Sequence, residues 1–319
     1  MTAPVVRAYA AAYPKILFTM VSSPLPAPLF QGISNLRFEA VNTNAYKGLG
    51  GTIRLFRRLR KLQPDLLLDL HQVLRTHILR VLFRLGGLSV FAVHKGRRQK
   101  RRLTRAKRKC LHPLPSMISR YEAVFVQAGF APLHIDRAPL VGTIPIPKPP
   151  ENSRRRVGIA PFAKHPSKFW PLEKTEELVR RLSLSGHYEL FLLGSRQEAD
   201  ILSNWAGRYA DTRCIADVHN FAQELNIIGS FDLLVSMDSA NMHLASFKGV
   251  PVVSIWGGTH PYAGFYGWRQ DPQQAVQSDL TCRPCSVFGN KSCRQGSLDC
   301  LQSISVDTVF WKIERNFAP

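Results

Sequence analysis

The sequence predicts an α/β protein built from two alternating domains, each a mostly parallel sheet with helices on both faces. Three observations predict it. Short apolar runs alternate with amphipathic segments of helical period along the chain. A proline-rich stretch, Thr143–Asn152, splits the alternation into two series and reads as a semi-rigid linker. Finally, Phe231–Gly264 reads as strand, loop, short helix, strand and loop in one compact unit. At 319 residues the chain is long enough for two cores, and the boundaries are set at 1–148 and 149–319.

In the first series, Thr2-Ala3-Pro4 reads as the cap and first turn of a helix continued by Val5–Tyr13. No strand precedes it, although an alternating domain normally begins with one. Lys15–Ser22 and Leu36–Asn42 supply strands after it. Gly48–Gly51 leads into a basic amphipathic helix, Thr52–Leu62. Pro64 separates that helix from Asp65–Leu70, a buried-strand pattern ending in Asp69 and His71. Arg75–Leu85 is helical, Leu88–Val93 is a strand, and Ser116–Gly129 returns as a helix.

In the second series, Arg156–Ala160 is a strand, Leu172–Ser185 a helix, Tyr188–Leu193 a strand, and Arg196–Gly207 and Val218–Gly229 helices. Phe231–Val235 is apolar throughout, as in a strand covered on both faces. Asp238 or Ser239 then caps the short helix Asn241–Phe247, which Lys248-Gly249 ends. Val250–Ile255 forms the next strand, and Gly257-Gly258 opens a loop at its carboxyl end. Val306–Phe317 is the last helix. Two strand ends with a helix N-terminus between them make the crevice where open α/β sheets bind ligands. The free N–H groups there suit a diphosphate.

Composition narrows the partners. A hydrophobic content of 45% indicates a globular protein. No apolar run reaches the length of a spanning helix, and the N-terminus lacks a secretory layout, so the chain is read as cytoplasmic. The formal net charge of +21 calls for an anionic partner: nucleic acid, an acidic membrane or a phosphorylated glycolipid. His94–Pro113 alone carries ten Lys or Arg and no Asp or Glu. It reads either as a solvated loop or as a phosphate clamp at a membrane face or nucleic-acid backbone.

Among candidate ligand residues, Lys168 lies in a loop, Pro161–Pro171, at the carboxyl end of the second sheet. It is the choice for a phosphate partner, against the alternative of a surface lysine beside a packed Trp170. Glu198 reads either as a ribose or adenine contact or as a first-turn glutamate favoured by the helix dipole. His243, inside the short helix, reads by itself as a satisfied structural histidine. Asp238 is suited both to capping and to ligand contact. Cys282, Cys285, Cys293 and Cys300 fall within one segment, and they are either zinc ligands or reduced thiols; Cys110 and Cys214 stand apart.

Asp238–Leu244, then Gly249–Val253, then Gly257–Pro261 strongly resemble the C-terminal signature of the family-nine glycosyltransferases, the lipopolysaccharide heptosyltransferases and their relatives. The resemblance extends to Pro161–Pro171 with Lys168 and Trp170, to Gly194 with Glu198, and to Asp69-Leu70-His71 with Arg75. It implies a GT-B fold, two Rossmann-like domains facing across a cleft, and inverting transfer without metal or cofactor. The implied donor is a nucleotide-activated sugar such as ADP-heptose. The implied acceptor is an anionic lipid-linked saccharide at the inner membrane surface, the enzyme being peripheral to that membrane, with no specific nucleic acid bound. Carried over residue by residue, Lys168 contacts the diphosphate, Glu198 the nucleoside, and Asp238, Ser239, Ala240, Asn241, Met242 and His243 the phosphates or sugar; Thr259 lines the same pocket. Arg75, Lys95, Arg97 and Arg98 of the basic first domain fall to the acceptor.

Two departures stand out. Ala240 replaces a family glycine, and the helix-first start leaves out the first strand and the glycine-aspartate loop that holds the family's proposed base. No catalytic base is therefore assigned, and the start is expected to be shortened or misplaced. The other function classes are a sugar-nucleotide binder without turnover and a basic nucleic-acid-binding protein. Against the latter, the basic run lacks interleaved aromatics for stacking.

Overall fold

The computed structural model describes residues 1–135, 154–216 and 220–318. The expected linker, the boundary at 148/149 and the start of the helix expected at Val218 lie outside the described residues. The chain divides into two compact units, Met1–Gly96 with Pro115–Thr143, and Arg97–Leu114 with Ile144–Pro319. The basic run expected in the first domain thus belongs mostly to the second unit.

Through the first half run α1 (Thr2–Ala12), β1 (Phe18–Ser22), β2 (Leu36–Ala40), α2 (Gly48–Arg60), β3 (Leu66–Asp69), α3 (Leu74–Leu85), β4 (Ser89–Ala92), α4 (Arg97–Leu103) and α5 (Met117–Gln127). In the first unit the strands form two separate parallel pairs rather than one sheet. In them β1 lies beside β2 with Phe18 opposite Leu36, and β3 beside β4 with Leu66 opposite Ser89. These strands have only four or five residues each and are partly exposed, so they lack the continuous apolar burial of a central parallel sheet. Tyr9 of α1 is fully buried and stacks on Phe125 of α5, ring centroids 4.1 Å apart.

The helix α2 begins at Gly48, before the expected Thr52. Gly51 explains the difference: a Cβ there would stand 2.4 Å from the Tyr46 carbonyl carbon, so the glycines admit a close approach instead of breaking the helix. One face of α2 and α3, with Leu55, Leu59, Leu79 and Phe83, packs with Val90 into a core over β3 and β4.

The second unit contains β5 (Arg155–Ala160), α6 (Leu172–Leu184), β6 (Tyr188–Leu192), α7 (Ala199–Arg208), β7 (Thr212–Cys214), α8 (Phe221–Gly229), β8 (Leu233–Met237), α9 (Ala240–Lys248), β9 (Val252–Trp256), β10 (Ala275–Gln277), α10 (Asp299–Gln302) and α11 (Val306–Phe317). Its strands form one parallel six-stranded sheet in the order β10-β9-β8-β5-β6-β7. This is the doubly wound order, and its direction reverses between β5 and β8. Every residue of β8 and β9 is buried, as their uninterrupted apolar sequences require. Val157, Leu190, Leu233 and Val253 pack one sheet face beneath α6 and α11, while Phe191, Leu234, Val252 and Trp256 pack the other. Trp170 is fully buried and donates its indole N–H to the Ile304 carbonyl at 3.1 Å. Among the described residues no helix is long and apolar enough to cross a membrane.

Candidate functional site

The reversal of strand order places the loops after β5 and β8 side by side, and Lys168 and Asp238 come from those two loops. Lys168 closes a short 3-10 turn, Pro166–Lys168. Its stem lies against Gly289, where φ is +76° and a Cβ would stand 2.8 Å from the lysine's Cγ and Cε. Its ammonium donates to Asp238 twice, to Oδ2 at 2.8 Å and to the main-chain oxygen at 3.0 Å. Asp238 is buried, 6% exposed, so the pair is shielded and the lysine is held two residues before the start of α9.

Of the two residues expected at the cap, Asp238 is thus turned to Lys168. Ser239 occupies the N-cap position with extended backbone, yet its side chain makes no capping bond. Its Oγ sits 3.1 Å from the Ser236 Oγ instead. The helix starts with no side chain on its first-turn N–H groups, and these, with the positive end of the helix, point toward the end of the sheet where Lys168 lies. Ala240 is exposed there, and Asn241 and His243 are half-buried. Met242 is different: its side chain is fully buried in the core beneath the sheet, so only its main chain belongs to the helix start.

After β9, the two glycines let the loop rest on the Lys168 turn. Gly258 donates its N–H to the Ser167 carbonyl at 3.0 Å. A Cβ on Gly257 would stand 2.6 Å from that same oxygen, and one on Gly258 3.1 Å from the Cys285 sulfur. Thr259 follows, 1% exposed, with its hydroxyl buried and lacking a hydrogen-bond partner among the described residues. A buried hydroxyl in that condition costs about 1–3 kcal/mol.

Sequence reasoning missed Arg283. It is 5% exposed and fans its donors over this loop, to Gly257 O at 2.5 Å, Thr259 O at 3.1 Å and Gln277 Oε1 at 3.1 Å, and also to Ser278 O. Burial lowers its pKa. A lone arginine between two cysteines carries no sequence signal of such a role.

Glu198 sits at the carboxyl side of β6 and accepts the Ser195 N–H at 2.5 Å in a capping box at the start of the 3-10 turn leading into α7. Of the two roles offered by the sequence, this geometry displays the helix-start role.

His260 is 8% exposed. Its Nδ1 accepts the Tyr262 N–H at 3.1 Å, and burial, then the Arg283 charge, lowers its pKa from 6.5 to about 4. The folded chain thus binds this proton more weakly than the unfolded chain. The stabilisation is complete above pH 6.5 and is lost as pH falls from 6.5 toward 4. Thermal melts across that window are expected to show a falling Tm, and His260→Asn, which keeps an N-cap acceptor, should flatten this part of the profile. An identical slope in the variant would refute the assignment.

In the first unit, a second cluster forms at the carboxyl ends of β3 and β4. Asp69 Oδ1 accepts the N–H groups of His71 and Gln72 at 3.0 and 2.8 Å, and its Oδ2 lies 3.3 Å from Arg80 Nε. Burial, then the Lys95 charge, lowers the His71 pKa, with Arg75 adding to the effect and Asp69 opposing it. Arg75 also donates to Thr43 O at 3.3 Å. Arg75 and Lys95 thus both act on His71, whereas Arg97 and Arg98 are exposed on α4 and belong to the second unit.

The basic run is not simply a solvated loop. Lys100 of α4 is 6% exposed, with its ammonium 4.1 Å from the centre of the Phe265 ring, a cation–π contact. Lys109 donates to the carbonyls of Thr281 and Cys282, and Leu114 N–H to Tyr262 O at 2.9 Å. The Lys109 bonds tie the run to the cysteine segment, and the other two contacts tie it to the loop after β9. The zinc alternative for that segment is not supported. Among the described residues no three His, Cys, Asp or Glu side chains gather as metal ligands. Cys300 is instead a buried core thiol with its pKa raised to about 11 by burial.

A doubly wound parallel sheet with a held lysine and an uncapped helix start at its switch point makes the second unit a Rossmann-like α/β unit. The family model for glycosyltransferase family 9 (heptosyltransferase) matches residues 52–294, and the chain belongs to this family. Lipooligosaccharide heptosyltransferase 2 of Campylobacter jejuni is 23% identical over 176 residues, 53% of this chain and 54% of that protein. The match thus spans about half the length of that curated relative. Among solved structures, E. coli ADP-heptose lps heptosyltransferase II aligns with a TM-score of 0.64 at 16% identity, over 98% of this chain and 93% of that one. E. coli heptosyltransferase WaaC with ADP aligns at 0.65 and 18%, over 99% and 95%. The family 9 glycosyl transferase of Veillonella parvula aligns at 0.70 and 17%, over 99% and 92%. At these identities the likeness is one of fold, the GT-B class.

Proposed function

We propose that this chain transfers heptose from a nucleotide diphosphate donor, ADP-heptose, to a lipopolysaccharide-core or related lipid-linked acceptor, with inversion. The observation that carries the reading is the Lys168–Asp238 pair at the uncapped start of α9. In an inverting transfer the acceptor hydroxyl attacks the anomeric carbon from the side opposite the leaving diphosphate, a base takes the hydroxyl proton, and the departing phosphate gains negative charge. Lys168 and the first-turn N–H groups of α9 stabilise that charge in a preorganised, partly water-shielded place. The Arg75–Lys95 cluster at the ends of β3 and β4 receives the anionic acceptor.

The relatives support the donor choice, since one neighbour was solved with ADP and another with ADP-2-deoxy-2-fluoro heptose. Isothermal titration with ADP-heptose, and with UDP- and GDP-sugars, tests it. Binding of the ADP compound alone, followed by transfer to a heptose-free core acceptor, is the expected result. Absence of binding by a chain that melts cooperatively would refute the donor reading, and binding without transfer would mark a sugar-nucleotide binder.

A further inference from the structure

We infer that the outer face of α3 docks onto an anionic membrane surface. This rests on the proposed lipid-linked acceptor and names the place where the enzyme meets the lipid. The helix has two apolar faces. Leu79 and Phe83 are buried in the core with α2. Leu74, Ile78, Val81 and Leu85 recur at intervals of four, three and four residues, which places them within roughly 60° of arc on the opposite side of an ideal helix. Leu74 is 79% exposed, Val81 55% and Leu85 81%. The stripe is about 16 Å long. A shallow concavity lined by His77, Ile78, Arg80, Val81 and Arg84 runs along its edge.

The charge around the stripe selects the occupant. The helix itself carries Arg75, Arg80 and Arg84 and no Asp or Glu, Arg80 also facing Asp69, and the sequence holds no acidic residue between Asp69 and Glu122. A second copy laid on this face would bring like charges together at the cost of repulsion. Nucleic acid would satisfy the arginines and leave the leucines in water. An anionic bilayer surface satisfies both, with aliphatic side chains entering the acyl boundary and guanidinium groups at the phosphates. Arg75, in the first turn of the same helix, joins this face to the cluster with Lys95 and His71, so the lipid-linked acceptor would be met at the surface that holds the enzyme.

Flotation of the full chain with phosphatidylethanolamine vesicles containing roughly 30 mol% phosphatidylglycerol is the test. The chain is expected to float with these vesicles, to float poorly with phosphatidylethanolamine–phosphatidylcholine vesicles, and to release partly at about 0.5 M NaCl. Leu74→Ser/Val81→Ser/Leu85→Ser, all at exposed positions, should partition at least about tenfold less, and Val81→Glu alone should move in the same direction. Titration with ADP should be unchanged in both variants. Equal flotation of variants and parent, or no flotation of the parent, overturns the inference while ADP binding leaves the donor reading standing. Conversion of a dimer to a monomer by the substitutions, seen by sedimentation, overturns it in favour of a second copy.

Discussion

Lys168→Ala is expected to weaken ADP binding by one to two orders of magnitude and to destabilise the second unit by about 3 kcal/mol. The two losses have different origins. A charge-assisted bond from ammonium to phosphate contributes about 1.5–3 kcal/mol, which sets the loss in affinity. The stability loss arises because Asp238, 6% exposed, would keep its carboxylate in the protein without the ammonium 2.8 Å away, and stranding one member of a buried pair costs about 3–5 kcal/mol. Lys168→Met/Asp238→Asn separates them, since it removes both charges together. The double variant should recover most of the stability and none of the affinity. Parent-like ADP binding by the double variant would show that Lys168 does not meet the diphosphate.

Asp238 also shows where the sequence stops being informative. The run Phe231–Val235, the turn and the helix are all legible locally, because burial on both faces demands unbroken apolar strands and because Gly249 ends the helix in the left-handed conformation, φ +76°. The partner of Asp238 lies 70 residues away on another loop, and only the strand order brings the two together. The sequence offered Asp238 both a cap and a ligand role, because an aspartate before a helix often caps; the lysine made another bond available. Glu198 went the other way, since its partner Ser195 is three residues off and the capping box is a local motif.

The anchoring of the basic run was hidden from the sequence for a related reason. No apolar period marks Arg97–Leu103, and its helix is anchored by Lys100 over Phe265, a contact spanning distant segments. The edge strands β7 and β10 have three residues each, too few to display alternation. The cysteine spacing suggested a metal because spacing alone does not report where side chains point. Cys300 turned into the core, and the residue that organises the segment is the arginine between the first two cysteines.

That arginine supports the second large effect. Arg283→Met is expected to lower stability by about 3 kcal/mol, a fall in Tm of roughly 6–12 °C for a unit of this size, and to weaken ADP binding as well. Arg283 donates to the carbonyls of Gly257, Ser278 and Thr259. Removing it leaves three main-chain acceptors without this donor, each worth about 1 kcal/mol, within a loop whose Gly258 rests on the Lys168 turn. Loosening that loop loosens the support of Lys168, so affinity falls although Arg283 need not touch the nucleotide. Arg283→Lys keeps the charge but lacks the planar fork that reaches several acceptors at once, and should fall between parent and Arg283→Met in both measurements. If Arg283→Lys binds ADP and melts like the parent, charge alone is sufficient and the fork holds nothing. If Arg283→Lys loses stability but keeps full affinity, the loop and the nucleotide site are uncoupled.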